Sequence, residues 1–211
     1  MIDYKSYDNI ILDFDGVILD SNGIKKEAIY KASFEFSDKL FHSEFVEYFT
    51  SNNGIPRETK IKRYFSGDNF DKILRNYNTL LVAMLRDACL TKNIELFLEK
   101  IAYYNIRPCI LSGGDKDEII SILKSRNMID KFNLIMGGPL TKYNNLDNSN
   151  LKGKILYIGD SLIDYEVAKK YNFDFIFMYG YTQFNNWKEY FKDKPEIIII
   201  KNFEALTFSH C

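Results

Sequence analysis

Hydrophobic and polar positions along this chain fall into two regimes. In the first, short apolar runs stand alone at 10–14, 108–111, 134–136, 155–158, 173–179 and 197–200. Near-continuous runs of this kind suit strands buried on both faces, and they predict a parallel sheet covered by helices on both sides. Between the later runs the spacing predicts amphipathic helices over 93–104, 117–126 and 164–171. Alternation of strand and helix marks an α/β chain with a Rossmann-like, doubly wound parallel sheet.

The second regime fills the interval after the first run. Nearly a hundred positions separate Asp15 from Ser112, whereas a crossover to a parallel neighbour needs about 30. The surplus reads as helical: Phe70, Ile73, Leu74, Tyr77, Leu80, Leu81, Met84 and Leu85 hold the i, i+3, i+4, i+7 spacing of one apolar helix face. Segments 24–36 and 43–49 predict shorter helices, with Ser21 or Asn22 as N-cap of the first. The expectation is an inserted α-helical domain of residues 21–88, set into an α/β core made of 1–20 and 89–211.

Composition narrows the function classes. With 211 residues, 46% of them apolar and 16% aromatic, the chain can bury a full core. The formal charge is −1, and no basic tract is interleaved with aromatics, which speaks against a nucleic-acid surface. The longest apolar runs fall far short of the roughly 20 residues of a membrane span, and "MIDYKSYD" does not read as a signal peptide. A cytoplasmic location, with no membrane partner, is expected. Cys89, Cys109 and Cys211 are odd in number and widely spaced, which fits reduced thiols rather than a disulfide frame or zinc site. His42 and His210 lie apart from other ligand-like residues. Chemistry therefore falls to carboxylates. The oligomeric state has no signature.

Ligands of a doubly wound sheet sit at the carboxyl ends of its strands, so the residues that follow each apolar run are the informative ones. They are Asp13 and Asp15 after the first, Ser112, Gly113 and Gly114 after "PCIL", Lys142 after "LIMGGPLT", and Asp160 after "ILYIG", with Ser161 and Asp164 close behind. On an extended chain Asp13 and Asp15 aim at one spot. There they repel by about 3–4 kcal/mol at an effective dielectric near 20, which calls for a cation, a shared proton or open water. Asp13 and Asp160 suit a hard cation such as Mg²⁺. Ser112 with the amides of Gly113 and Gly114, expected at the start of the helix "DKDEIISILKS", forms a donor-lined pocket for a phosphate oxygen, and Lys142 adds positive charge.

Four stretches, "DFDGVILDS", "ILSGG", "GGPLTK" and "YIGDSLIDYEVA", resemble in order the four motifs of the haloacid dehalogenase-like hydrolases. The likeness runs over about residues 9–170, and the insert resembles that family's type 1 helical cap. The resemblance implies that Asp13 is the nucleophile that forms an aspartyl-phosphate. It implies that Asp15 protonates the leaving oxygen and then activates water. Mg²⁺ would be bound by the Asp13 carboxylate, the Asp15 carbonyl and Asp160, with Asp164 helping directly or through water, while Ser112 and Lys142 orient the phosphoryl group. Retention of Asp15 points within the family to phosphate esters. The usual third motif sets proline after the lysine, whereas Tyr143 follows Lys142, so Lys116, Lys152 and Lys154 stay open in its place. "NNGIPRETK" resembles the substrate-specificity loop of type 1 caps and marks Gly54 and Arg57 to close over the substrate.

The expectation is a Mg²⁺-dependent phosphatase of the family, acting on a small phosphorylated metabolite. A sugar phosphomutase of the same family is the alternative, and a non-catalytic phospho-receiver module represents a different class. Plain structural roles stand beside these: Asp160 and Asp164 as helix-cap acids, Asp20 and Ser21 as a cap at the start of the insert, and the aromatic stretch "YGYTQFNNWKEYF" as packing.

Overall fold

The structure is a computed structural model that describes residues 2–207; His210 and Cys211 lie outside the described residues. Strand β1 (Asn9–Leu12) carries Ile10, Ile11 and Leu12, all fully buried. Five α-helices lie before the next strand, the first four being α1 (Asn22–Ser33), α2 (Lys39–Ser51), α3 (Arg57–Lys62) and α4 (Gly67–Leu85). The chain then alternates through α5 (Ile94–Ala102), β2 (Cys109–Asp115), α6 (Lys116–Ser125), β3 (Leu134–Gly138), α7 (Lys142–Asp147), β4 (Ile155–Gly159), α8 (Leu162–Lys170) and β5 (Asp174–Met178). It ends with α9 (Trp187–Phe191), β6 (Ile198–Ile200) and α10 (Glu204–Thr207).

All six strands join one parallel sheet in the order β3-β2-β1-β4-β5-β6, which is the α/β, Rossmann-like arrangement the apolar runs predict. Successive residues of each strand feed opposite faces. Ile10, Leu12, Leu156, Ile158 and Ile176 join one apolar cluster, and Ile11, Ile155, Tyr157, Phe175 and Phe177 join the other. Chain order reverses between β1 and β4, so the crevice beyond their carboxyl ends is where this topology places a ligand.

Helix α4 buries Ile73, Tyr77, Leu81 and Leu85 at four-residue intervals, and packs that stripe against α1 and α3. The helical group joins the sheet through two segments that lie side by side. The Asp20 N–H donates to the Cys89 carbonyl at 2.9 Å and the Thr91 N–H to the Ile18 carbonyl at 3.0 Å. Cys89 is exposed and Cys109 buried, and both are free thiols. No helix among the described residues is long and apolar enough to cross a membrane.

Local differences from the sequence expectation have physical causes. The stretch "PRETK", expected as loop, begins α3. Strand β2 runs on through Ser112, Gly113 and Gly114 to Asp115, with a register irregularity between Leu111 and Asp115. Helix α6 starts only at Lys116, because the Asp115 carboxylate takes the Glu118 N–H at 2.9 Å and so caps it. The amides of Gly113 and Gly114 therefore belong to extended chain and not to a helix start, which corrects that expectation.

Candidate active site

Asp13 is the first residue past β1, and its N–H still donates to the Ile158 carbonyl of β4 at 2.9 Å. Its Oδ1 accepts the Phe14 N–H at 2.7 Å and pairs with Lys142 Nζ at 2.9 Å. The chain then turns at Gly16, whose φ is +77°. A Cβ there would lie 2.2 Å from Asp160 Oδ2 and 2.4 Å from Asn22 Nδ2, so only glycine passes beneath these side chains. Asp15 accepts a 2.6 Å hydrogen bond from Ser21 Oγ and forms an ion pair with Lys25. Asp13 and Asp15 line one cavity, and each carboxylate has its own lysine there.

Their electrostatics separate accordingly. Burial, with the charge of Asp164 next, pushes the Asp13 carboxyl up to about 7 against the pull of Lys142. Burial would raise Asp15 as well, but Lys25 and the Ser21 hydroxyl outweigh it and hold the acid below its ordinary value.

Lys142 opens α7, whose N-cap Thr141 accepts the Asn144 N–H at 3.1 Å. Its ammonium lies 2.9 Å from Asp13 Oδ1, 2.5 Å from Asp164 Oδ1 and 3.0 Å from the Tyr157 hydroxyl, fully enclosed. Burial opposes its charge, yet the two carboxylates raise its pKa. Lys116, Lys152 and Lys154 are all exposed, and Lys154 pairs with Asp174 at 3.3 Å. Of the four candidate lysines, then, Lys142 is the one brought to the acids.

Asp160 follows β4 and is buried, with Oδ2 accepting from Asn22 Nδ2 at 2.7 Å. Its Oδ1 is buried without a hydrogen-bond partner. Burial, Asp13 and Asp164 push its pKa well up. Asp164 closes a capping box at the start of α8: its Oδ2 accepts from the Asp160 and Ser161 N–H groups at 3.2 and 3.0 Å and from Ser161 Oγ at 2.7 Å. Its Oδ1 faces Lys142 and the Tyr157 hydroxyl. Asp13, Asp160 and Asp164 each offer an oxygen within 4.8 Å of the others. An all-oxygen donor set with one buried oxygen lacking a protein partner fits a hard divalent cation. Asp13 and Asp160 are the free donors for it, since five donors already surround Asp164. The Asp15 side chain stands outside the cluster.

Ser112 is fully buried and its Oγ accepts the Gly114 N–H at 2.9 Å. A Cβ on Gly113 would lie 2.4 Å from the Gly54 carbonyl carbon, so the loop before α3 rests directly on β2. Arg57 is buried, donates to Asn78 Oδ1 at 2.7 Å and to Glu118 Oε1 at 2.8 Å, and lies 5.3 Å from the Tyr77 ring centroid. Asp13, Asp15, Gly54, Arg57, Gly113 and Gly114 line one small cavity of about 30 Å³, open to solvent; Ser112, Lys142, Asp160 and Asp164 are not in its lining. A larger groove of about 980 Å³ beside Tyr30 and His42 carries none of the acids.

Several residues here were passed over in the sequence. Ser21 and Asn22 were read as helix caps, yet Ser21 makes no capping bond; their side chains serve Asp15 and Asp160. From the aromatic stretch, the Tyr181 carbonyl accepts from Asn22, Thr182 Oγ1 donates to the Asp160 carbonyl, and Gln183 reaches the cavity. Lys25 and Lys60 also line it. Tyr157 was legible in principle, because a hydroxyl in an otherwise apolar buried strand must find a partner.

A family model described as haloacid dehalogenase-like hydrolase matches residues 10–178. Among solved structures, the chain resembles a predicted phosphatase from Clostridium acetobutylicum (20% identity, 95% of this chain and 96% of that chain, TM-score 0.75). It also resembles a predicted phosphoglycolate phosphatase from Haemophilus somnus (16%, 97% and 98%, TM-score 0.74) and β-phosphoglucomutase from Clostridium difficile (17%, 96% and 94%, TM-score 0.70). At these identities the likeness is one of fold. No curated protein matches the chain. With the family match running from β1 through β5, the chain belongs to the haloacid dehalogenase-like hydrolases.

Proposed function

We propose that this protein is a Mg²⁺-dependent phosphatase that hydrolyses a small phosphorylated metabolite through an aspartyl-phosphate on Asp13. The observation that carries the reading is the setting of Asp13 at the β1–β4 switch point, paired with Lys142 and clustered with Asp160, whose Oδ1 has no partner. Asp13 and Asp160 would hold the cation, which supplies positive charge against the phosphoryl oxygens. An Asp13 oxygen attacks phosphorus and the bond to the ester oxygen breaks. Asp15 gives that oxygen a proton, then takes one from the water that cleaves the aspartyl-phosphate and frees phosphate. The Lys25 contact keeps Asp15 ionised, the form suited to the second step; release of Lys25 lets it carry a proton for the first. Lys142, Ser112 and the amides of Gly113 and Gly114 orient the phosphoryl group. In this reading residues 21–88 are a cap over a core of 1–20 and 89–211, with Gly54 and Arg57 on the face that excludes water. The free thiols accord with a cytoplasmic setting.

The test is phosphate release from a panel of monoesters. Wild type is expected to require Mg²⁺ and to fall silent with EDTA. Asp13→Asn is expected to lose at least about a thousandfold in turnover with an unchanged circular dichroism spectrum, because removing a nucleophile removes the covalent route. An Asn variant close to wild-type rate would exclude the nucleophile, and phosphoryl exchange between sugar hydroxyls with little release would point to a mutase.

A further inference from the structure

We propose that Lys60 binds a second anionic group of the substrate, so that the compound hydrolysed is a small phosphate monoester whose far end carries a carboxylate or another phosphate. This rests on the phosphatase reading above and names its substrate class.

Three cations line the cavity beside Asp13 and Asp15: Lys25, Arg57 and Lys60. Two have carboxylate partners, Lys25 in Asp15 and Arg57 in Glu118. Lys60 has none among the described residues. It is only 5% exposed, its Nζ donates to the Phe49 carbonyl at 2.9 Å, and it lies 3.8 Å from the Phe49 ring centroid. An ammonium has three N–H donors, and a carbonyl with a ring face leaves donors unused and the charged form without a counter-ion. Burying such a charge is costly. Burial, with the like charge of Lys25 next, lowers its pKa to about 7, while Asp15 acts the other way.

The position is as specific as the chemistry. Lys60 and Arg57 are three residues apart on α3, so they share a face, and that face meets the cavity. The other wall residues from this side include Phe49, Thr50, Asn53, Ile55 and Tyr77, none of which carries a charge. On the far side, the phosphoryl group already has Lys142 and the Ser112 loop. A cation excess above the reacting centre therefore matches a charge that is not the one being hydrolysed.

The experiment compares kcat/KM within two pairs of equal carbon chain in the presence of Mg²⁺: phosphoglycolate against 2-hydroxyethyl phosphate, and 1,3-propanediol bisphosphate against 3-hydroxypropyl phosphate. The charged member is expected to be preferred by at least about tenfold in one pair, mostly through KM, the worth of one charge-assisted hydrogen bond. Which pair shows it tells carboxylate from phosphate. Lys60→Met, checked for folding by near-ultraviolet circular dichroism, is expected to collapse that preference, and Lys60→Arg to keep part of it. Hydrolysis without preference in either pair, or a preference that survives Lys60→Met, overturns the assignment and leaves the phosphatase standing. Absence of hydrolysis of every ester overturns both.

Discussion

A lysine enclosed at 5% exposure with a carbonyl and a ring for company makes its side chain a pH-dependent burden on the fold. Folded Lys60 releases its proton near pH 7, whereas the unfolded chain holds it to about pH 10.4. Between those values the unfolded state binds more protons, so this residue's contribution to stability rises with pH; below about 7 its full cost is present. Lys60→Met is therefore expected to melt higher than wild type at pH 6, with the gap narrowing toward pH 9.5. Each kcal/mol corresponds to about 2–4 °C in a chain of this length. A gap that stays constant over that range would contradict a depressed ammonium. At this scale the sequence showed Asp13 and Asp160, because each follows an apolar run that a parallel sheet must bury, and it offered Lys142 as one of four lysines. It did not show Lys25 or Lys60, because a lysine on a helix ordinarily faces water, and their enclosure comes from elements distant in the chain.

At the scale of elements, α8 binds two duties into one acid. Asp164 satisfies the first N–H groups of its helix and also shares Lys142 with Asp13. Ser161→Ala removes only part of the cap and is expected to cost about 0.5–2 kcal/mol. Asp164→Ala also strips a buried ammonium of one partner, and is expected to cost about 3–5 kcal/mol. Urea midpoints for the two variants measure the difference; equal losses would mean that the acid is a cap alone. The strands were legible from their apolar runs. The extension of β2 was not, since its last four residues, Ser-Gly-Gly-Asp, carry no strand pattern, and only Asp115 of them pairs in register with β3, at Gly138. The six-residue helices α3 and α7 are too short and polar to display an apolar period.

Over the whole molecule, few polar contacts join the helical group to the sheet near the cavity. They include Arg57 to Glu118, Asn22 to Asp160 and Lys25 to Asp15. Glu118→Gln leaves Arg57 without its counter-charge and is expected to raise amide exchange in α3 severalfold while β1 and β4 keep their protection. Unchanged exchange in α3 would show that this ion pair does not hold the two parts together. That a helical group lies between β1 and β2 was readable from the excess length of the interval, but its contacts across the cavity were not, since they pair residues up to 161 positions apart.

The paired segments at Ile18–Asp20 and Cys89–Thr91 have a mechanical consequence. Departing and returning chain are zipped edge to edge, and Thr91 Oγ1 bonds the Val17 carbonyl as an extra rivet. Two independent tethers would let the helices swivel and slide. A laminated pair bends about a single axis, as a strip of webbing does, and Ser21 and Lys25, both held by Asp15, follow immediately on that strip. Tilting the helices would therefore change the proton affinity of Asp15 in the same stroke that admits a molecule.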